Sequence, residues 1–260
     1  MKLLQIILLA IVQGTTEFLP VSSSGHVVIL ASLMNLDDEI AGLNVVLHVG
    51  TLVSILVFYW YRIFRLLGED RRTIGPLVVG TIPAVIVGVT LKWVGEDLLD
   101  SPLIAGCMLP VTGAILYWAS RRQPSTGTYQ TISYRDSLLI GLSQAAAILP
   151  GISRSGTTIS AGLGLGLSRQ SAATFSFLLA IPVIAGAAVL TIADQLSGAT
   201  VTTPISCLIV GATVAFVVGL LSLWWLVRWL EQGRLHYFAW WCFAVGAVTL
   251  IWQLWLSTAG

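Results

Sequence analysis

The chain is 260 residues long, 56% hydrophobic and only 10% charged, with a formal net charge of +1 and a mean hydropathy of +0.90. Soluble domains carry roughly 25% charged residues, so this composition excludes an ordinary soluble domain and specifies an integral membrane protein of all-α class. Near-neutral charge leaves no broad basic surface, so nucleic acid is not an expected partner; membrane lipids are.

The first stretch, residues 2 to 19, is apolar but ends in Glu17 and Pro20. Lys2 followed by an apolar run resembles a secretory leader, yet no small-residue cleavage site closes it. We therefore expect it in the mature protein. A second apolar piece, residues 26 to 35, follows. Each is shorter than the roughly 20 residues a helix needs to span. Together they predict a re-entrant hairpin broken at Pro20-Val-Ser-Ser-Ser-Gly25, a break tolerated at depth only where it is buried in protein or lines a wet cavity. Asp37-Asp38-Glu39 returns the chain to water.

Spanning helices are then expected at Val45–Trp60, Pro76–Val94 and Pro102–Trp118, followed by a polar linker, Gln123 to Ser133. Residues 137 to 149 and 155 to 167 repeat the hairpin pattern around Pro150-Gly151. Three more spans are expected at Ser171–Ala193, Pro204–Trp229 and Tyr237–Leu256. The expectation is thus one membrane domain, residues 1–260, with six transmembrane helices and two re-entrant hairpins. Its repeats run from about 1 to 122 and from about 133 to 260.

Arginines in short loops set orientation. Arg62 to Arg72, Arg121 to Arg135, Arg169 and Arg228 to Arg234 belong on the cytoplasmic side. Both termini and the loops at Asp37 to Glu39, Glu96 to Asp100 and Asp194 then face outward. On that count one hairpin enters from outside and the other from inside. Two similar hairpins of opposite topology predict an inverted repeat with its site near the bilayer midplane. The ten tryptophans suit an interfacial aromatic belt.

The two hairpin tips carry the chemistry. Gln13-Gly-Thr-Thr-Glu17-Phe-Leu-Pro-Val-Ser22-Ser-Ser-Gly-His26 places a carboxylate, hydroxyls and an imidazole inside an apolar run. Ionisable groups at that depth are costly and mark function. Gln144-Ala-Ala-Ala-Ile-Leu-Pro150-Gly-Ile-Ser153-Arg154-Ser155-Gly-Thr157-Thr158 echoes it and supplies an arginine. Both tips start a half-helix with serines, where free N–H groups and partial positive charge favour an anion. A guanidinium and hydroxyls added there make an oxyanion or phosphate site.

Gln13 and Glu17, four residues apart, share a helix face. Their carboxylate and amide oxygens suit Mg²⁺ or Ca²⁺. His26 is a candidate proton shuttle or nucleophile, and Ser23 a candidate nucleophile or orienter. Ser24 and Thr157 serve equally well as partners of backbone carbonyls, and His48 reads as a packing or supporting group. Gly162, Gly164 and Gly166 predict close helix packing rather than a nucleotide loop. Cys107, Cys207 and Cys242 each sit alone in an apolar segment, without CxxC spacing, and read as structural.

On these residues the chain resembles the bacterial undecaprenyl-diphosphate phosphatases, the bacitracin-resistance family. Gln13-xxx-Glu17 with Phe18-Leu-Pro-Val-Ser22-Ser-Ser-Gly-His26 resembles that family's (Glu/Gln)-xxx-Glu motif. Pro150-Gly-Ile-Ser153-Arg154-Ser155-Gly-Thr-Thr158 matches its Pro-Gly-x-Ser-Arg-Ser-x-x-Thr motif at every fixed position. The resemblance covers essentially the whole chain. It implies a phosphoric anhydride hydrolase that converts undecaprenyl diphosphate to the monophosphate and inorganic phosphate. It further implies recycling of the carrier for peptidoglycan synthesis, bacitracin resistance, and placement in the bacterial inner membrane with the site open to the periplasm. It also implies Mg²⁺ or Ca²⁺ at Glu17 and Gln13, catalytic roles for Glu17, Ser23, His26 and Arg154, and substrate contacts from Ser22, Ser153, Ser155 and Thr158. The attacking group (Ser23, His26 or water) is left open, as is assembly, with a homodimer among the allowed states. Some members have Glu at position 13, and Asn44 and His48 replace the acidic residue and Gln expected in the next helix, which moves a helper role toward His48. A secondary transporter or flippase of a lipid phosphate or anion is the competing class, since broken helices in inverted repeats are common there.

Overall fold

A computed structural model describes residues 2–34, 36, 41–94, 99–196 and 204–259. Among them the protein is all helical; its one β feature is an isolated bridge between Gly127 and Leu167. The expected acidic turn at Asp37 to Glu39, the pair Glu96 and Asp97, and residues 197–203 lie outside the described residues.

Besides the 7-residue α4 (Trp60–Leu66), four helices among the described residues are too short to span: α1 (Leu3–Thr16), α2 (Ser23–Leu33), α7 (Tyr134–Ala146) and α8 (Arg154–Gly164). They form two helix–turn–helix pairs, α1 with α2 and α7 with α8. Proline explains both breaks: Pro20 and Pro150 follow the ends of α1 and α7, supply no N–H, and disfavour helix at the residue before them. Ser22 and Ser153 then cap α2 and α8, their side chains accepting from Gly25 N and Gly156 N.

The remaining helices are α3 (Ala41–Phe58), α4 (Trp60–Leu66), α5 (Ile74–Val94), α6 (Pro102–Ser120), α9 (Arg169–Leu196), α10 (Ile205–Glu231) and α11 (Leu235–Ala259). Five of them (α5, α6, α9, α10 and α11) are long and apolar enough to cross a bilayer; the bent pair α3–α4 makes a sixth span if counted as one. The bend is 73° and corrects the expected straight span through Trp60. It places Trp60, Tyr61, Arg62 and Arg65 on a short helix of their own, and an aromatic and basic segment of this kind prefers the interface to the hydrocarbon. Helix α9 also runs further than expected and takes in Asp194.

The arginine-bearing connections gather at one end of the molecule. Asp70 accepts from Tyr129 Oη at 2.6 Å and from Arg65 Nη2 at 3.1 Å. The linker meets the end of α8 through the Gly127–Leu167 bridge, and Arg169 Nη1 donates to the Glu231 carbonyl at 3.0 Å. Burial, followed by the adjacent Asp70 carboxylate, pushes the Tyr129 phenol up. Of the three expected packing glycines, Gly162 faces Ala172 and Gly164 faces the Trp118 ring, whereas Gly166 lies past the end of α8 with φ +88° and serves the turn instead. Cys107, Cys207 and Cys242 are free thiols.

Both turns lie in the hydrophobic core. Phe18, Leu19 and Val21 pack in one cluster with Leu109, Ile159, Phe175 and Phe177. Phe18 meets Phe177 edge-on at 5.8 Å, and Tyr59 meets Phe177 at 5.7 Å, so an aromatic column backs the first turn. Burying such large side chains anchors the turn firmly.

Candidate functional site at the meeting of two helix turns

The two turns touch. The Ser22 hydroxyl accepts from Gly25 N at 3.3 Å within its own turn and from Gly151 N at 3.1 Å across to the other. Ser22 adopts φ 71°, the only non-glycine residue with positive φ among those described. That strained conformation in a capping residue is a hallmark of an over-determined site. The approach is close enough that a Cβ on Gly25 would lie 2.9 Å from Gly151 N. Gly151 has φ +91°, and a Cβ there would meet the Ala105 carbonyl oxygen at 2.4 Å. Both positions therefore require glycine.

Glu17 is the hub. It caps the C-terminus of α1 and is 7% exposed. Its Oε2 accepts from Gln13 Nε2 at 2.9 Å and from Ser23 Oγ at 2.8 Å. Its Oε1 accepts from Arg154 Nη2 at 2.5 Å. His48 Nε2, from α3, lies 3.7 Å from Oε2. A buried carboxylate is tolerated only when so partnered. Arg154 opens α8 and spends one nitrogen on Glu17; its Nη1 is buried with no partner among the described residues. An unused guanidinium nitrogen beside two helix N-termini is a donor waiting for an anion.

The other residues of the second tip hold the turn. Ser153 N donates to Thr112 Oγ1 at 3.0 Å, and Thr112 Oγ1 donates to the Gly151 carbonyl at 2.7 Å. Ser155 Oγ lies 3.2 Å from Ser153 Oγ and reaches the Leu19 carbonyl of the first turn at 3.4 Å. Thr157 Oγ1 donates to the Ser153 carbonyl at 2.9 Å. Thr158 Oγ1 bonds the Arg154 carbonyl at 2.7 Å and Ser176 Oγ of α9 at 2.6 Å.

His26 stands one helical turn beyond Ser23 on α2. Its Nδ1 lies 2.8 Å from the Ser22 carbonyl, and its Nε2 lies 3.0 Å from Trp241 Nε1 of α11. Gln13, Ser23, Glu17 and Arg154 are thus brought into one bonded cluster, with Ser22 bridging the tips and His26 beside it. Sequence reading gave Thr112 and Trp241 no role. Thr112 is one polar residue in an apolar span, and Trp241 is one of ten tryptophans; neither stands out locally.

The donor set for a metal is all oxygen. Glu17 is joined by the Oε1 of Gln13, whose Nε2 it already holds; this oxygen and the Oδ1 of Asn44 on α3 are buried with no partner among the described residues. Among the described residues no three His, Cys, Asp or Glu side chains gather. One carboxylate with amide oxygens fits a hard divalent cation that keeps several waters and also binds substrate phosphate.

The family model described as bacitracin resistance protein BacA matches residues 6–248. An undecaprenyl-diphosphatase of Rhodopirellula baltica is 51% identical over 97% of this chain and 99% of its own length. Proteins with the same name from Pelotomaculum thermopropionicum and Desulfatibacillum aliphaticivorans are 40% and 38% identical, each over 96% of this chain and over 97% and 99% of their own lengths.

Proposed function

The chain belongs to the bacitracin resistance protein BacA family, and from that premise we propose that it hydrolyses undecaprenyl diphosphate to undecaprenyl phosphate and inorganic phosphate. The observation that carries the assignment to this site is the Glu17–Arg154 pair, which joins the two turns and leaves Arg154 Nη1 free for a phosphate oxygen. Transfer from such a group needs little covalent help from the protein; positioning and charge stabilisation supply most of the rate.

The isoprenoid tail lies among the helices, and the diphosphate enters between the turns. Arg154 Nη1 and the free N–H groups opening α2 and α8 hold its oxygens and stabilise the charge that grows in the transition state. Ser22, Ser153, Ser155 and Thr158 contribute by holding those helix starts in place. Mg²⁺ or Ca²⁺ held by Glu17 and Gln13 would neutralise phosphate charge. Glu17, whose oxygens are held by Gln13 and Arg154, accepts from Ser23 and so orients its hydroxyl. His26, one turn along the same helix, takes the proton of the attacking oxygen, which is that of Ser23 or of a water in its place. Attack on the outer phosphorus breaks the anhydride bond and undecaprenyl phosphate leaves; a water attacker gives inorganic phosphate directly, whereas attack by Ser23 leaves a phosphoserine that a second water, deprotonated in turn by His26, cleaves to inorganic phosphate and free Ser23. A phosphoserine trapped by rapid quench selects Ser23; its absence selects water.

Topology is part of the same proposal. Helix α1 packs on α10, and α7 packs on α5. That exchange supports a repeat in which the second helix pair and its following spans mirror the first. With the arginine-bearing end in the cytoplasm, the site opens to the outer face of the inner membrane and both termini lie outside. A test is phosphate release from a C55 isoprenyl diphosphate by purified protein in detergent, with Mg²⁺, with Ca²⁺ and with chelator. Metal-dependent release supports the reading; no release from folded protein under any metal overturns it.

A further inference from the structure

We propose that Trp241 is a lipid-facing latch on His26, closing the imidazole until substrate arrives. The tautomer follows from the partners. The Ser22 carbonyl only accepts, so Nδ1 of His26 carries the proton at their 2.8 Å contact. An indole only donates, so Nε2 of His26 is the lone pair that receives Trp241 Nε1–H at 3.0 Å. Both ring nitrogens are therefore occupied. Nε2 is the one atom through which a neutral His26 takes a proton, and Trp241 covers it.

The latch is built to move. The two rings are nearly parallel, at 9° with centroids 6.2 Å apart, and Trp241 remains 53% exposed on the outer side of α11. The next residue, Cys242, is fully buried with its thiol 3.8 Å from the Pro20 carbonyl. The backbone of α11 is thus fixed against the first turn, while the indole swings on its own side-chain torsions. A lipid diphosphate arriving sideways from the bilayer meets this ring before it meets Nε2. Displacing the ring exposes His26 when a phosphate is at hand and keeps it covered otherwise.

The inference rests on His26 acting in the hydrolysis, but carbethoxylation by diethyl pyrocarbonate reads the latch without turnover. The chain has three histidines, so mass spectrometry follows His26 with His236 as internal reference. Trp241→Phe keeps a ring and removes the donor. It is expected to raise His26 modification several-fold at unchanged His236 modification, and to lower KM several-fold with kcat held within about twofold, since the closed fraction no longer taxes binding. Trp240→Phe, the neighbouring exposed ring, changes neither. Equal His26 reactivity in wild type and Trp241→Phe overturns the latch. So does a fall in kcat at constant KM. Should the variant fold poorly, ¹⁵N-histidine spectra of the wild-type protein decide: an Nδ1–H tautomer, assigned by its loss in His26→Asn, supports the latch, and an Nε2–H tautomer overturns it.

Discussion

The carboxylate of Glu17 and the guanidinium of Arg154 stand 137 positions apart in the chain and form one buried ion pair. Removing either partner leaves the other charged and uncompensated, a loss of about 3–5 kcal/mol where burial is complete. Arg154→Ala is therefore expected to lower thermal stability as well as activity, with kcat falling by about 10²–10³ as for loss of a transition-state donor. Arg154→Lys restores the charge but not the fork, and is expected to recover stability more than activity. Thermal unfolding beside phosphate release checks both.

The contact of the turns gives a second prediction. Gly25→Ala puts a methyl 2.9 Å from Gly151 N, so the turns must part. Activity is expected to fall by more than tenfold while helix content is kept. Cross-linking of cysteines placed on the two turns would report the parting directly, and full activity in Gly25→Ala would deny that close approach matters.

Much of this site could be read in the sequence because its signals are local. Gln13 and Glu17 are four apart, and their side chains bond. Prolines and serines mark both helix breaks; Ser22 and Ser153, expected as substrate contacts, cap the helices that follow. What could not be read depends on distant packing. Trp241 reaches His26 across 215 positions, and no periodicity marks which of several exposed tryptophans does so. The 73° bend after Phe58 has no proline or glycine at the break; it follows from where Arg62 and Arg65 must lie. The weight given to His48 depended on a distance that spacing cannot supply.

Thr112 is expected to matter for stability more than for catalysis. It is fully buried and links the Gly151 carbonyl to Ser153 N. Thr112→Val keeps the volume and strands both backbone groups, which costs about 1–3 kcal/mol for each group left unpaired. A lowered melting temperature with KM little changed is the expected outcome; an unchanged melting temperature would show that other groups replace the bridge.

Metal dependence is tested at position 13. Gln13→Glu puts a second carboxylate beside Glu17, which repels it in the absence of a cation and shares the cation when one is present. The Mg²⁺ concentration for half-maximal phosphate release is expected to fall by about tenfold, equivalent to roughly 1.4 kcal/mol. Gln13→Leu, which removes the amide oxygen, is expected to raise it. The same half-maximal concentration in all three proteins would remove Gln13 from the cation site.

Whether the two turns act as one active site is read by a double-mutant cycle. The measurement is kcat/KM for wild type, Glu17→Gln, Arg154→Ala and the double variant, on C55 isoprenyl diphosphate. Residues of one catalytic unit are strongly non-additive. The double variant is expected to be no less active than the less active single variant. Fully additive losses would mean that Glu17 and Arg154 act independently, and would contradict a single active site.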